Sequence, residues 1–84
     1  MSDKKNSIEN NFTYHKPFGT QPQRYEQVRA KAKEYAEYLV SNTPVSREQS
    51  LALTKLEEAV FWANAAIARN ESDVTEETQQ QAAA

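Results

Sequence analysis

The chain has 84 residues, a formal net charge of −2 and no cysteine. A chain of this length forms one domain with a modest core, and without cysteine that core contains neither a disulfide nor a thiolate metal site. Residues 14–70 are slightly basic, far short of the basic stripe of a duplex-binding protein, and no run of about 18 apolar residues is available to span a bilayer.

The N-terminal stretch, residues 1–13, is polar and without periodicity, so we expect a flexible N-terminal arm. It lacks the apolar region of a signal peptide. These features predict a cytosolic protein with no DNA or RNA strand and no membrane among its partners. The next stretch, the aromatic segment (residues 12–18, FTYHKPF), combines rings and cations just before Gly19, the only glycine.

The first helix is predicted over about residues 21–41. Thr20 is a candidate N-cap, Pro22 suits the first turn, and Gln23 can close a capping box. Residues 41–44 (SNTP) end the helix. Apolar residues recur along one face with helical spacing, namely Tyr25, Val28, Ala32, Tyr35 and Leu39.

The second helix is predicted to begin after Ser46, in a capping-box pattern with Glu48 in the first turn, and to run to about Asn70. The connection is short, so the helices should form an antiparallel hairpin with residues 25–39 facing residues 53–67. The sequence thus predicts an all-α chain with a flexible arm (1–13), a helical hairpin domain (14–70) and a disordered acidic tail (71–84).

The second helix has apolar residues on two faces. One stripe consists of Leu53, Leu56, Val60, Ala63 and Ile67. The other set, more than about 90° away, consists of Leu51, Phe61, Trp62 and Ala65. Because the first helix can cover only one face, we expect the second set to lie in the interface of a homo-oligomer.

Few residues suit catalysis. His15 is the only histidine and has no partner at metal-ligand spacing. Ser46 and Ser50 are better explained as a cap and a surface position, and Glu57 and Glu58 diverge by about 100° on a helix. A single glycine excludes both glycine-rich phosphate loops. We therefore predict no enzyme, no metal site and no cofactor.

A binding site is the remaining candidate. Aromatic rings stack on nucleobases, cations bind phosphates and the start of a helix favours an anion, which together suit a small nucleotide. The same residues also suit a hydrophobic staple beside an ordinary solvated face, and both interpretations stay open. The residues concerned are Tyr14 and Phe18 as rings, and Lys16, Arg24, Arg29, Lys31 and Lys33 as cations.

The run SREQSLALTKLEEAVFWANAAIARN, with YHKP upstream and RYEQVR opening the first helix, resembles the phage-encoded anti-CBASS sponges and their anti-Thoeris relatives. These small helical-hairpin proteins sequester cyclic-nucleotide immune signals. The similarity covers about residues 12–70 and is densest in the second helix, through SRE, LTKLEEA, WANA and IARN. It implies a non-catalytic homohexamer of interlocked trimers in the cytoplasm of the infected bacterial host. Cyclic dinucleotides would bind where the arm meets neighbouring hairpins, and in some members cyclic trinucleotides bind on the threefold axes.

Position by position, the resemblance implies that Tyr14 is the base-stacking tyrosine and Arg29 the basic ligand residue. Lys31 falls where a trinucleotide-binding member has a contact, and the arginine of IAR is Arg69. Lys31 is bulkier than a small hydroxyl residue there, so dinucleotides rank first. An ADP-ribose-derived ligand ranks lower, because the anti-Thoeris relatives have additional structure for it. The alternative is an oligomeric structural or interaction protein with no small-molecule ligand.

Overall fold

The structure, a computed structural model, describes the backbone of residues 2–72 and the side chains of residues 6–72. Its elements are α1 (Ser2–Asn11), α2 (Gln21–Asn42) and α3 (Arg47–Asn70). All regular secondary structure in this range is helical, which confirms the all-α prediction. Each of these helices is too short or too polar to cross a membrane. Residues 73–84 of the predicted acidic tail lie outside the described range.

Residues 2–11 of the predicted arm form α1, a helix that the sequence analysis did not predict. Beyond the end of this helix, the Thr13 hydroxyl donates to the Glu9 carbonyl at 2.6 Å, and the Phe12 amide donates to the Ile8 carbonyl at 3.1 Å. Ile8 is itself 56% exposed. A helix that buries no apolar stripe leaves no amphipathic pattern in its sequence, which is why periodicity missed it.

The start of α2 differs from the prediction at its cap. Pro22 is in the first turn as expected, but the Thr20 side chain makes no capping hydrogen bond. Its hydroxyl oxygen instead accepts from Arg24 Nε at 3.0 Å. At the other end, the Thr43 hydroxyl donates to the Leu39 carbonyl at 2.6 Å. The Thr43 side chain thus satisfies one of the last four carbonyls of α2, which have no partner within the helix.

The predicted N-cap of α3 is confirmed. Ser46 has extended backbone, and its hydroxyl oxygen accepts from the Gln49 amide at 3.1 Å. Glu48 is in the first turn, where its charge complements the helix dipole. The Gln49 side chain reaches back to the carbonyl and the hydroxyl of Thr43, both at 3.0 Å. One glutamine therefore joins the end of α2 to the beginning of α3.

The two long helices form the predicted antiparallel hairpin. α2 packs against α3 along its length. At one end Gln49 contacts Thr43, and at the other Gln21 Nε2 donates to the Ile67 carbonyl at 3.3 Å. The first turn of α2 therefore lies beside the last turn of α3.

The packed stripes differ from the prediction at two positions. Tyr35 is 53% exposed and stacks on Tyr38, with ring centroids 6.1 Å apart, while Ala36 faces the partner helix. On α3, Ala63 is exposed and Asn64 takes its place. Each predicted stripe advances by 3, 4, 3 and 4 residues and each observed stripe by 3, 4, 4 and 3, so the ends and the average spacing agree and only the fourth member moves by one residue. The half-buried stripes are Tyr25, Val28, Ala32, Ala36 and Leu39 on α2, and Leu53, Leu56, Val60, Asn64 and Ile67 on α3.

A single chain buries very little. Among residues 6–72 only Gln21 is buried, and no apolar side chain is. Phe61 and Trp62 are 67% and 64% exposed, and Leu51 is 43% exposed. Since the hydrophobic effect scales with the apolar area removed from water, one isolated hairpin gains only modest stability from its own packing.

Candidate functional site

Side chains from α1 and α2 cap the last turn of α3. The last four carbonyls of a helix have no partner within it. Here the Ile67 carbonyl accepts from Gln21 Nε2 at 3.3 Å, and the Arg69 carbonyl accepts from Asn10 Nδ2 at 2.9 Å. The end of α3 is therefore the point where all three helices meet.

The aromatic segment is anchored at this same point. His15 Nε2–H donates to the Asn10 carbonyl at 2.9 Å, so this nitrogen carries a proton. The Phe18 amide donates to Gln21 Oε1 at 3.1 Å, and the Gln21 amide donates to the Phe18 carbonyl at 3.0 Å. Gly19 turns the chain with a φ of 59°, which only glycine adopts at low cost. The Tyr14 side chain, directly before His15, is 81% exposed.

An ion pair completes the junction. Arg24 donates to both oxygens of the Glu71 carboxylate, with Nη1 2.9 Å from Oε2 and Nη2 2.6 Å from Oε1. Gln21 Nε2 also donates to Glu71 Oε1, at 3.1 Å. Arg24, one of the predicted ligand residues, is thus paired with an intramolecular carboxylate, and its ligand role stays a prediction. Glu71, the first residue of the predicted tail, makes hydrogen bonds to α2.

The ion pair makes stability depend on pH. The hydrogen bond from Arg24 lowers the pKa of Glu71 below its ordinary value of 4.5, although burial opposes the shift. The stability contributed by the ionised carboxylate is therefore complete above about pH 4.5 and is lost as the pH falls through the lowered pKa. We expect Glu71→Gln to lower Tm at neutral pH, with a difference from wild type that shrinks in acid.

The measurement is a series of thermal denaturation curves from about pH 2 to pH 7 at one protein concentration. Glu58→Gln is the matched control. It also removes a carboxylate from an ion pair, but that pair, with Lys55 at 3.5 Å, is exposed. A Tm difference for Glu71→Gln that does not change with pH would contradict the role assigned to the charge.

One groove runs along the hairpin, between α2 and α3, and has a volume of about 730 Å³. Its walls are largely apolar, including Leu53, Leu56 and Phe61. Two of the predicted ligand residues, Arg29 and Lys33, line it, because residues four apart share one face of a helix. This surface combines an apolar wall with two cations, as a ring-bearing anion requires.

The second groove lies between α1 and α3 and has a volume of about 680 Å³. It contains Arg69, another predicted ligand residue, beside the exposed ring of Trp62. Ala65 also lines it. Most of its remaining residues carry side-chain amides, which both donate and accept hydrogen bonds, namely Asn6, Asn10, Asn11 and Asn70.

The other predicted site residues lie apart. Tyr14, Lys16 and Lys31 are exposed and line neither groove, and Lys31 lies about 200° around α2 from Arg29. The predicted interface residues are also divided, since Phe61 lies in the α2–α3 groove and Trp62 in the α1–α3 groove. One chain therefore does not bring the predicted ligand residues together.

Sequence reasoning missed the residues that build the junction. Asn10, Gln21 and Glu71 belong to polar stretches whose composition resembles a loop or a tail. Their partners are 46 to 59 residues away in the chain, so no local pattern marks them. Within residues 2–72, no group of three histidine, cysteine or acidic side chains is arranged to hold a metal ion.

The model of one protein family, described as the Acb2/Tad1 hairpin domain, matches residues 4–68. The match begins within α1, includes all of α2 and ends in the last turn of α3. Comparison with curated proteins and with solved structures returned no match. Since the match covers most of the sequence, the chain belongs to the Acb2/Tad1 hairpin family, which is the family of anti-CBASS and anti-Thoeris sponges.

Proposed function

We propose that this protein is a non-catalytic sponge that binds cyclic oligonucleotides and so blocks CBASS antiphage defence. The family match over residues 4–68 is the observation that carries the proposal. The site of action would be the cytoplasm of the infected bacterial host. A sponge works by stoichiometric capture, so it needs affinity high enough to hold the signal below its receptor's threshold, and no turnover.

Cyclic dinucleotides are the proposed main ligands. Such a ligand offers two bases and two phosphates, which call for aromatic surfaces and cations. The exposed Tyr14 ring supplies a stacking surface, and Arg29 and Lys33 supply adjacent cations along an apolar groove. Lys16, in the same anchored segment as Tyr14, is a further candidate contact. Cyclic trinucleotides are secondary candidates, through Arg69.

The binding site is proposed to form between copies of the chain. In one chain Tyr14 does not line the groove that contains Arg29. Phe61 and Trp62 leave large apolar surfaces open on two sides of α3. A homo-oligomer, as the hexamer of the resemblance implies, would cover these surfaces and place the aromatic segment of one copy against the hairpin of another.

A titration against cyclic di-AMP, cyclic di-GMP, mixed cyclic GMP–AMP and cyclic tri-AMP tests the proposal directly. A ligand that binds only the folded protein stabilises it by mass action and so raises Tm. The free energy of unfolding increases by about 2.7 kcal/mol when the free ligand concentration is 100 times Kd. Long RNA or DNA strands are the contrasting ligands, because their binding would weaken steeply with salt. No response to any cyclic nucleotide would favour the alternative, a structural or interaction protein.

The bound nucleotide is expected to leave the protein unchanged. A cyclic dinucleotide incubated with an excess of protein and released by heat should be recovered intact, as chromatography of the supernatant would show. Controls are the same nucleotide incubated without protein, and the same mixture with the nucleotide in large excess. Linear product in amounts greater than the protein would demonstrate turnover and refute the sponge.

A further inference from the structure

Two residues of the aromatic segment, His15 and Phe18, are tied by hydrogen bonds to the last turn of α3. His15 is joined through the Asn10 residue to the Arg69 carbonyl. Phe18 is joined through Gln21 to the Ile67 carbonyl and the Glu71 carboxylate. Lys16 lies between these two residues and Tyr14 directly precedes His15, and neither makes any of these bonds.

We propose that Glu71 is a positioning residue that holds the aromatic segment ready for ligand, acting through Gln21. The part of the proposal that concerns ligand affinity rests on the proposed sponge function. The part that concerns order in the segment does not. Glu71 itself is assigned no contact with ligand.

The argument depends on the orientation of one buried amide. Gln21 is 2% exposed, and its Nε2 donates to two acceptors, the Ile67 carbonyl and the Glu71 carboxylate. With Nε2 directed at these acceptors, Oε1 faces the Phe18 amide and accepts from it. The carboxylate and the Ile67 carbonyl together select one of the two orientations of the amide, and the carboxylate is the closer and the charged acceptor of the two; that orientation is the one that fixes Phe18.

The Arg24 guanidinium fixes the carboxylate in turn. Its two hydrogen bonds to Glu71 form a bidentate pair, and its Nε donates to the Thr20 hydroxyl in the turn before α2. These hydrogen bonds therefore connect the aromatic segment, through Gln21, to Glu71 after the end of α3, and connect Glu71, through Arg24, to the turn before α2. Glu71 is the member that accepts from both Gln21 and Arg24.

A competing role makes the opposite prediction. Glu71 also neutralises Arg24, so removing its charge would free a cation beside the proposed anion site. If Glu71 acts mainly by masking Arg24, Glu71→Gln raises the affinity for a cyclic dinucleotide. If Glu71 positions the segment, the same variant lowers the affinity, because only a fraction of the protein then has the binding-competent arrangement.

Amide hydrogen exchange of the full-length protein without ligand tests the positioning directly. We expect Glu71→Gln to speed exchange of the Phe18 amide on the order of threefold to tenfold, while amides of residues 28–36 in the middle of α2 are unchanged. Glu58→Gln, which breaks the exposed pair with Lys55, should leave both regions as in wild type. Glu71→Ala removes the acceptor as well as the charge, and should speed the exchange at Phe18 at least as much. Unchanged exchange at Phe18 in both Glu71→Gln and Glu71→Ala would overturn the proposal, whatever the protein binds.

Binding kinetics then separate positioning from direct contact. The probe is whichever of cyclic di-AMP, cyclic di-GMP and mixed cyclic GMP–AMP binds wild type most tightly. Loss of a preformed segment should lower the association rate on the order of threefold to tenfold and leave the dissociation rate unchanged. A faster dissociation rate alone, or a higher affinity, would overturn the positioning role. Failure of wild type to bind any of the probes would refute the sponge function but not the exchange result.

Discussion

Light scattering of the full-length protein is expected to give a mass several times the 9.6 kDa of one chain, and sixfold is the multiple that the family resemblance implies. The structural reason is the apolar surface that a single hairpin leaves in water. Phe61 and Trp62 are each about two thirds exposed, and no apolar side chain among residues 6–72 is buried. Trp62→Glu should lower the mass, because a carboxylate would have to be desolvated in the contact without a partner.

Ala52→Glu is the matched control for this variant. It places the same charge on the same helix, at an exposed position about 80° around the helix from Trp62 and about 180° from Phe61. The mass should then stay that of wild type. Circular dichroism of both variants would show that helices persist, so that a lower mass reflects assembly. A wild-type monomer at micromolar concentration would contradict this interpretation of Phe61 and Trp62.

Tyr14→Ala is expected to weaken cyclic dinucleotide binding by about 1–3 kcal/mol, since base stacking on an aromatic ring contributes about that much. Arg29→Ala is expected to cost a similar amount, about 1.5–3 kcal/mol, from a lost charge-assisted hydrogen bond to phosphate. Isothermal titration calorimetry measures both. Tyr14→Ala should leave the oligomer mass unchanged, because Tyr14 lines neither groove, whereas Arg29 lines the groove that contains Phe61, so light scattering of Arg29→Ala accompanies its titration.

Two further variants determine what such losses mean. Lys31→Ala removes the same charge as Arg29→Ala from the opposite side of α2, so dinucleotide binding should be spared. Arg69→Ala should weaken trinucleotide binding and spare dinucleotide binding, whereas Tyr14→Ala should do the reverse. Equal losses of both ligands in Tyr14→Ala and Arg69→Ala would indicate one shared site. Unchanged binding in every variant would show that the residue assignments are wrong.

Several features of the fold follow from interactions between near neighbours in the chain, and the sequence predicted these. Ser46 caps α3 through an amide three residues away, Pro22 is in the first turn of α2, and the short connection imposes an antiparallel hairpin. The family could be identified in the same way, because the motifs of the second helix are contiguous. The ligand residues stay predictions, since their roles depend on a ligand and on further copies of the chain.

What the sequence alone determined about this protein is therefore its all-α class, its hairpin, and a resemblance that the family match confirms. Only the tertiary structure decided that the polar residues 2–11 form a helix, that Asn64 rather than Ala63 faces α2, and that Arg24 is paired with Glu71. The physical reason is the distance along the sequence between the residues that interact. Caps and helical periodicity act over three or four residues, whereas the ion pair joins residues 47 apart, and its partners come together only after the hairpin has closed.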